Sequence, residues 1–445
     1  MANSSLKRLG VLGLIGVVVS SMVGSGVYSL PQNMGEHASA DAMLIAWVIT
    51  GLGMFFIADT FRLLSEIKPG AKAGFFTYAR EGFGRHVQFA VFWTYWLCNV
   101  FSVVGFSVII MSALNYFFPH FFEGGNNFHS LVLSSVVIWF FIALVWRGIQ
   151  TASMVNLVGT VIKIIPILIF LAVALFLFRF KNFDLEIFGK IPFAQWDLTD
   201  ILGQVKNTML VTLWSFMGIE TAVAISHRAK NHKDVARATV FGFFLCLVMY
   251  ILISLLPFGI LPRAEIVQFD NPSTAGILAE LIGRPGAWIM NIGLIISASF
   301  AFLSWTIICV EVPFVAAREN AFPVCFSAEN KHGAPRVSIL TTGVFMQLGL
   351  FLAFFSARAW DTMISITAVM AMPVYLISSL YLFKIRKTKT DVAGIIRLTV
   401  TGAFAVLYSV WLIYAANIKY LLMGSIFLAL GVPVYIWAQR EKKQN

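Results

Sequence analysis

The chain has 445 residues, of which 59% are hydrophobic and 12% charged, a composition far too apolar for a soluble fold of two or three domains. Its hydrophobic runs are longer than transmembrane strands and do not alternate, so the fold is all-α and polytopic in a lipid bilayer. The net charge of +11 follows membrane topology and calls for no nucleic-acid partner; the four cysteines, Cys98, Cys246, Cys309 and Cys325, lack CxxC spacing and point to free thiols with no metal or cofactor site.

Twelve transmembrane helices are expected, at about 8–34, 39–64, 84–118, 130–147, 154–178, 205–227, 236–259, 286–317, 336–356, 360–383, 394–417 and 420–437. No small-residue cleavage site follows the first apolar run, so that helix reads as retained. With the N-terminus inside, the loops facing the cytoplasm gather most of the Lys and Arg, which places both termini there and leaves 438–445 as a cytoplasmic tail.

Gly24, Ser25 and Gly26 fall near the middle of the first span, where an uninterrupted helix would be expected. Unwound backbone survives at that depth only where it is buried in protein or lines a cavity. N–H groups freed at the start of the second half-helix suit a carboxylate, and carbonyls freed from the first half suit an ammonium, which together describe an amino-acid head group. The alternative is a glycine notch for helix packing.

Asp59 lies near the end of the second span and reads either as a proton-relay carboxylate or as a packing and interfacial charge. The basic yet aromatic loop from Arg62 to Arg85 reads as a re-entrant or interfacial helix. In the third span Tyr95, Cys98, Asn99 and Ser102 share one helix face, either as interhelical glue or as pocket lining. Lys163, among apolar residues of the fifth span, is too far from either end to snorkel easily and is either a proton carrier or a fixed ammonium holding carbonyls of a broken helix.

The sixth span repeats the interruption at Gly218, with Glu220 following at mid-depth and small or apolar residues continuing to Ser226. Breaks at matching places imply a five-plus-five inverted repeat, roughly 1–180 and 200–390, with two more helices over 394–437. The eighth span holds Trp305, a strong cation–π partner, and Glu311, which can pair with a basic group or take up a proton. Pro373 predicts a kink in the tenth span, and the last two spans look structural.

Met22-Val-Gly-Ser-Gly-Val-Tyr-Ser-Leu-Pro-Gln-Asn33, Trp214-Ser-Phe-Met-Gly-Ile-Glu220, and Trp305 with Pro323 eighteen residues on resemble the amino acid-polyamine-organocation superfamily, in its basic amino acid/polyamine antiporter branch. The Leu-Pro-Gln-Asn ending, Lys163-Ile-Ile-Pro166 and Glu311-Val-Pro313 look most like bacterial arginine/ornithine antiporters. The resemblance implies a carboxylate on the backbone of Gly24, Ser25 and Gly26 with the Ser25 hydroxyl added, and an α-ammonium on carbonyls of Met22, Trp214 and Met217. It further implies a side chain reaching toward Cys98 and Asn99, Trp305 as the middle aromatic gate and Trp214 as part of a lid. Lys163 matches the lysine that, in some proton-coupled members, stands where sodium braces the first broken helix in others. Two positions depart from the related arginine/agmatine antiporter: Val103 stands where it has an asparagine, and Val374 where an aromatic follows proline, with Tyr375 one step on.

The function these residues imply is alternating-access exchange, in a bacterial inner membrane, of arginine for ornithine or a similar cationic amino acid or amine. The rivals are a proton-coupled symporter of neutral amino acids, in which Lys163 or Glu220 titrates, and a membrane sensor that binds amino acids without moving them. No nucleophile, metal cluster or cofactor motif at usable spacing suggests an enzyme, and a homodimer is left open.

Overall fold

The computed structural model describes residues 11–68, 70–71, 73–148, 150–183, 197–220, 232–388 and 392–444. In chain order its helices are α1 (Val11–Met22), α2 (Leu30–His37), α3 (Ala40–Ile67), α4 (Phe75–Phe83), α5 (Arg85–Asn115), α6 (Phe128–Trp146), α7 (Gln150–Leu177) and α8 (Leu198–Ser215). They continue as α9 (His232–Leu255), α10 (Ser273–Ile282), α11 (Arg284–Arg318), α12 (Arg336–Phe354), α13 (Ala359–Ile385), α14 (Val392–Ala415), α15 (Ile418–Ala429) and α16 (Val432–Gln444).

Among the described residues nine helices are long and apolar enough to cross a membrane, or ten when the bent pair at 14–37 counts as one span. α7 and α8 occupy the places of the expected fifth and sixth spans. The second half of the sixth, through Ser226, lies outside the described residues, as do residues 8–10 of the first and Asn445 of the tail.

Local chemistry sets where these helices begin. Ser39, Asn127 and Asp197 cap α3, α6 and α8 by accepting from backbone N–H groups of the first turn. Pro31 and Pro285 sit in the first turns of α2 and α11, where a missing N–H costs nothing. α11 and α13 also run unbroken through Pro313 and Pro373, so the tenth span keeps its helix at the expected kink. The twelfth span instead divides at Leu430-Gly431, where the Trp93 indole donates to the Phe427 carbonyl at 2.8 Å and its ring lies flat against Gly431.

α5 is the central post. Nearly all of it is buried, and α11 and α13 pack along it, while α11 also packs on α7, α1 on α9, and α3 on α8 and α14. With no hydrophobic drive inside lipid, such packing rests on close approach and polar contacts. Asp59 serves this purpose: it accepts from Arg62 at 2.5 and 2.8 Å and from the Thr401 hydroxyl at 2.9 Å, joining α3 to α14.

The expected helix in the loop after the second span is α4, bounded by Gly74 and Gly84, both at positive φ. Its Glu81 takes a 2.5 Å hydrogen bond from Tyr381 of α13 and lies 2.9 Å from Lys68, while Lys384 donates to the Gly82 carbonyl at 2.6 Å. The Tyr381 bond and then Lys68 hold the Glu81 carboxyl below the ordinary carboxylate range. A depressed carboxyl contributes stability above its unfolded value and loses it as pH falls through its folded value. α4 should therefore stay docked at pH 5 and loosen only below about pH 4, near the ordinary glutamate value. Hydrogen exchange across Phe75–Phe83 measures this; Glu81→Gln should exchange faster at pH 7 and lose the acid step.

Candidate functional site

The first broken span comes apart over two residues. α1 ends at Met22, Val23 and Gly24 are non-helical, a 3-10 turn covers Ser25–Ser29, and α2 departs so that the two halves bend by 52°. In the sixth span α8 ends at Ser215, a turn carries Phe216 to Gly218, and helix resumes at Ile219.

The two breaks touch. A Cβ on Gly218, which also has φ +102°, would lie 2.3 Å from the carbonyl oxygen of Ser21. A Cβ on Gly26 would fall 1.5 Å from Cζ3 of Trp214. At both positions glycine is required by close approach, and at Gly218 also by its left-handed backbone.

Side chains from neighbouring spans take up the freed backbone. The Lys163 ammonium donates to the Ser20 carbonyl, at the negative end of α1, and Tyr28 donates back to the Lys163 carbonyl at 3.2 Å. Tyr250 of α9 donates to the Met22 carbonyl at 2.9 Å, and Thr274 of α10 to that of Tyr28 at 2.9 Å. On the other break, the Glu220 carboxylate accepts from the Gly218 N–H at 3.2 Å, from Tyr95 of α5 at 3.2 Å and from Tyr375 of α13 at 3.3 Å.

Between the breaks lies a small cavity of about 30 Å³. Met22, Gly24, Gly26, Ser102, Phe106, Trp214, Met217 and Trp305 line it. The Trp214 ring stands edge-on to Trp360 at 5.4 Å. Ser25 is fully buried next to Gly24 and Gly26, and among the described residues its hydroxyl has no hydrogen-bond partner, a state that normally costs free energy.

Six of the expected substrate residues, Met22, Gly24, Gly26, Trp214, Met217 and Trp305, are thus brought to one cavity, with Ser25 adjoining. Cys98 and Asn99 are buried on α5 but do not line it; Asn99 donates to the Tyr95 carbonyl at 2.5 Å and leaves its own Oδ1 unpartnered. Glu311 is half-buried near the end of α11, outside the lining. Phe106 and Tyr250 were not anticipated. Phe106 lies one turn beyond Ser102 on the same face, and a tyrosine inside the seventh apolar span is itself a signal, because a buried hydroxyl needs a partner.

Residues 9–432 match the family described as amino acid permease. The chain is 49% identical over 446 residues to an arginine/agmatine antiporter of Chlamydia pneumoniae, covering 99% of this chain and 92% of that protein. It is 48% identical over 447 residues to a putative amino-acid transporter of Clostridium perfringens, with 99% and 93% covered, and 46% identical over 448 residues to an arginine/agmatine antiporter of Chlamydia caviae, with 100% and 92% covered. The chain belongs to the amino acid permease family. It is a multi-pass membrane transporter of the amino acid-polyamine-organocation superfamily rather than an enzyme.

Among the described residues, contacts between helices stand on both sides of the cavity. On the side of α4, Phe75 and Phe76 pack against Tyr95 at 4.9 and 5.9 Å, beneath the Glu220 cluster. On the opposite side Asn33 of α2 donates to Asp361 of α13 at 2.8 Å, and Arg358 pairs with both Asp361, at 2.8 Å, and Glu36. Asn271 adds a 3.1 Å bond to Gln32, and Arg263 one of 2.7 Å to the Gly35 carbonyl.

The two glycines should respond differently to a methyl group. Overpacking costs about 1–3 kcal/mol, so Gly26→Ala, which must push Trp214 aside, should weaken amino-acid binding roughly fivefold to a hundredfold. Gly24→Ala meets nothing within 4 Å and should bind within about threefold of the parent. Titration calorimetry on purified protein compares them, and equal losses would remove Trp214 from the account.

Proposed function

We propose that the permease is an antiporter that exchanges arginine for a second cationic amino acid or amine by alternating access. The observation that carries this reading is the cavity at the crossing of the two breaks, where Gly24 and Gly26 share a lining with Trp214 and Trp305, next to a buried Ser25 whose hydroxyl has no partner among the described residues. Backbone N–H groups of the turn at Ser25–Ser29 suit a carboxylate, and carbonyls of Met22, Trp214 and Met217 suit the α-ammonium. No lining residue carries a charge, so a guanidinium would be held by indole faces, each worth about 0.5–2 kcal/mol according to desolvation.

Relatives at 46–49% identity are named arginine/agmatine antiporters. Ornithine is the counter-substrate expected from the sequence. The two differ at the turn: agmatine has no carboxylate and would leave the Ser25 subsite unused. A five-plus-five repeat of 1–180 and 200–390, set in a bacterial inner membrane with both termini cytoplasmic, would rock around this site. The Glu220–Tyr95–Tyr375 cluster would then close the cytoplasmic side and the Arg358 cluster the outer side.

Counterflow into proteoliposomes loaded with arginine tests the proposal. Labelled arginine, with agmatine or ornithine as partner, should accumulate, and Trp305→Leu should cost arginine more than a neutral amino acid of similar length. A second reading, proton-driven uptake of a neutral amino acid, draws on the same uncharged lining. Uptake into empty vesicles on a pH gradient, with no arginine counterflow, would replace the first reading by the second.

Lys163 bears on coupling. Its ammonium on the Ser20 carbonyl stands where an inorganic cation could otherwise brace the first break, so exchange should be independent of sodium. Lys163→Met should lose at least tenfold in exchange rate, the loss of a buried charge-assisted bond being worth about 1.5–3 kcal/mol. A Lys163→Met protein with unchanged rate and unchanged pH profile would remove the lysine from bracing and coupling alike.

A further inference from the structure

We propose that the groove between α7 and α11 holds one acyl chain of an anionic phospholipid, with the lipid phosphate on Arg284. The groove has a volume of about 620 Å³, within the range of about 300–1,000 Å³ usual for ligand clefts, and it shares no lining residue with the cavity between the breaks. Its α11 wall is a single stripe, Arg284, Trp288, Ile292 and Ile296, at helical spacing of four; Ile165 and Pro166 of α7 form the facing wall. The floor is tight, since a Cβ on Gly293 would fall 2.2 Å from Pro166.

Both depth and charge select the occupant. From Arg284 to Ile296 the stripe rises about 18 Å, close to the ~15 Å of one leaflet of a ~30 Å hydrocarbon core. Below Arg284 every wall residue is apolar, and Trp288, Ile292 and Ile165 are about half exposed, which leaves them toward lipid. Arg284 is exposed at the mouth and makes no ion pair among the described residues, so its guanidinium is free for a phosphate, while Trp288 one turn below sits where indoles mark the headgroup level. Pro166 follows Lys163 by three residues, so a chain seated against this wall presses on the segment of α7 that holds the first break.

Native mass spectrometry of the full-length protein, delipidated and then titrated with phosphatidylglycerol or phosphatidylcholine, tests the site without reference to transport. The parent should retain one phosphatidylglycerol in preference to phosphatidylcholine. Ile292→Trp, which fills the groove from its lipid-facing side, should lose that retained lipid. Arg284→Gln should keep a chain yet lower the phosphatidylglycerol preference about fivefold, the worth of one basic residue at an anionic headgroup. Equal retention by the parent and Ile292→Trp overturns the proposal, as does an unchanged preference in Arg284→Gln. A dimer mass that Ile292→Trp abolishes would assign the groove to a second copy of the chain instead.

Discussion

Unwound backbone inside a membrane has to find partners within the protein, and most of this architecture answers that demand. Two helices lose their ladders at the same level, and each break is closed by the other and by the spans around it. Gly218 lies against the Ser21 carbonyl, Lys163 covers Ser20, Tyr250 covers Met22, and Thr274 covers Tyr28. α7, α9 and α10 are therefore fixed relative to the first break by polar contacts, in a setting where apolar packing has little directional preference.

Among the described residues one carboxylate gathers the partners of the second break. Glu220 collects the Gly218 N–H and two tyrosine hydroxyls, and so joins the sixth span to α5 and α13 at one point. Each of those bonds is long, at 3.2–3.3 Å, and three donors share two oxygens. Such a cluster holds position through its number of partners rather than through any one strong bond. The Arg358 cluster on the opposite side is built differently, from partly exposed ion pairs, whose contacts solvent can replace at small cost.

The two breaks were legible because glycine at mid-span is costly and needs a reason, and Lys163 because an intramembrane ammonium needs one too. What could not be read was partnership across distance. Helical periodicity puts Tyr95, Cys98, Asn99 and Ser102 on one inward face, yet only the fold decides that Ser102 borders the cavity, Tyr95 meets Glu220, and Cys98 and Asn99 pack between helices. The partners of Asp59, Thr401 and Arg62, likewise come from the fold, Thr401 from a helix more than three hundred residues on. Tyr375, read only as a departure one step past the expected aromatic position, turns out to hold Glu220, because a one-residue step on a helix rotates the side chain by about 100° toward a different neighbour. The division of the twelfth span had no local signal beyond Gly431, since its cause is an indole on a helix more than three hundred residues earlier.

On the proposed function, an amino acid entering so small a cavity would have to rearrange its walls. Trp214 fills the space: its ring rests on Gly26, stands against Trp360 and walls the cavity from the sixth span. Any larger ligand must displace that ring and forfeit its aromatic contact, worth about 0.5–1.5 kcal/mol, before gaining contacts of its own. A ligand shifts a conformational equilibrium only by its differential affinity for the two states. Contacts that replace those of Trp214 on both breaks at once therefore favour the rearranged state, whereas contacts made to one break alone do not. On the proposed function, selectivity and motion would fall on the same few atoms, the N–H groups after Gly24, the carbonyls before it and the indole above Gly26, and the rest of the helices would hold those atoms within reach of one another.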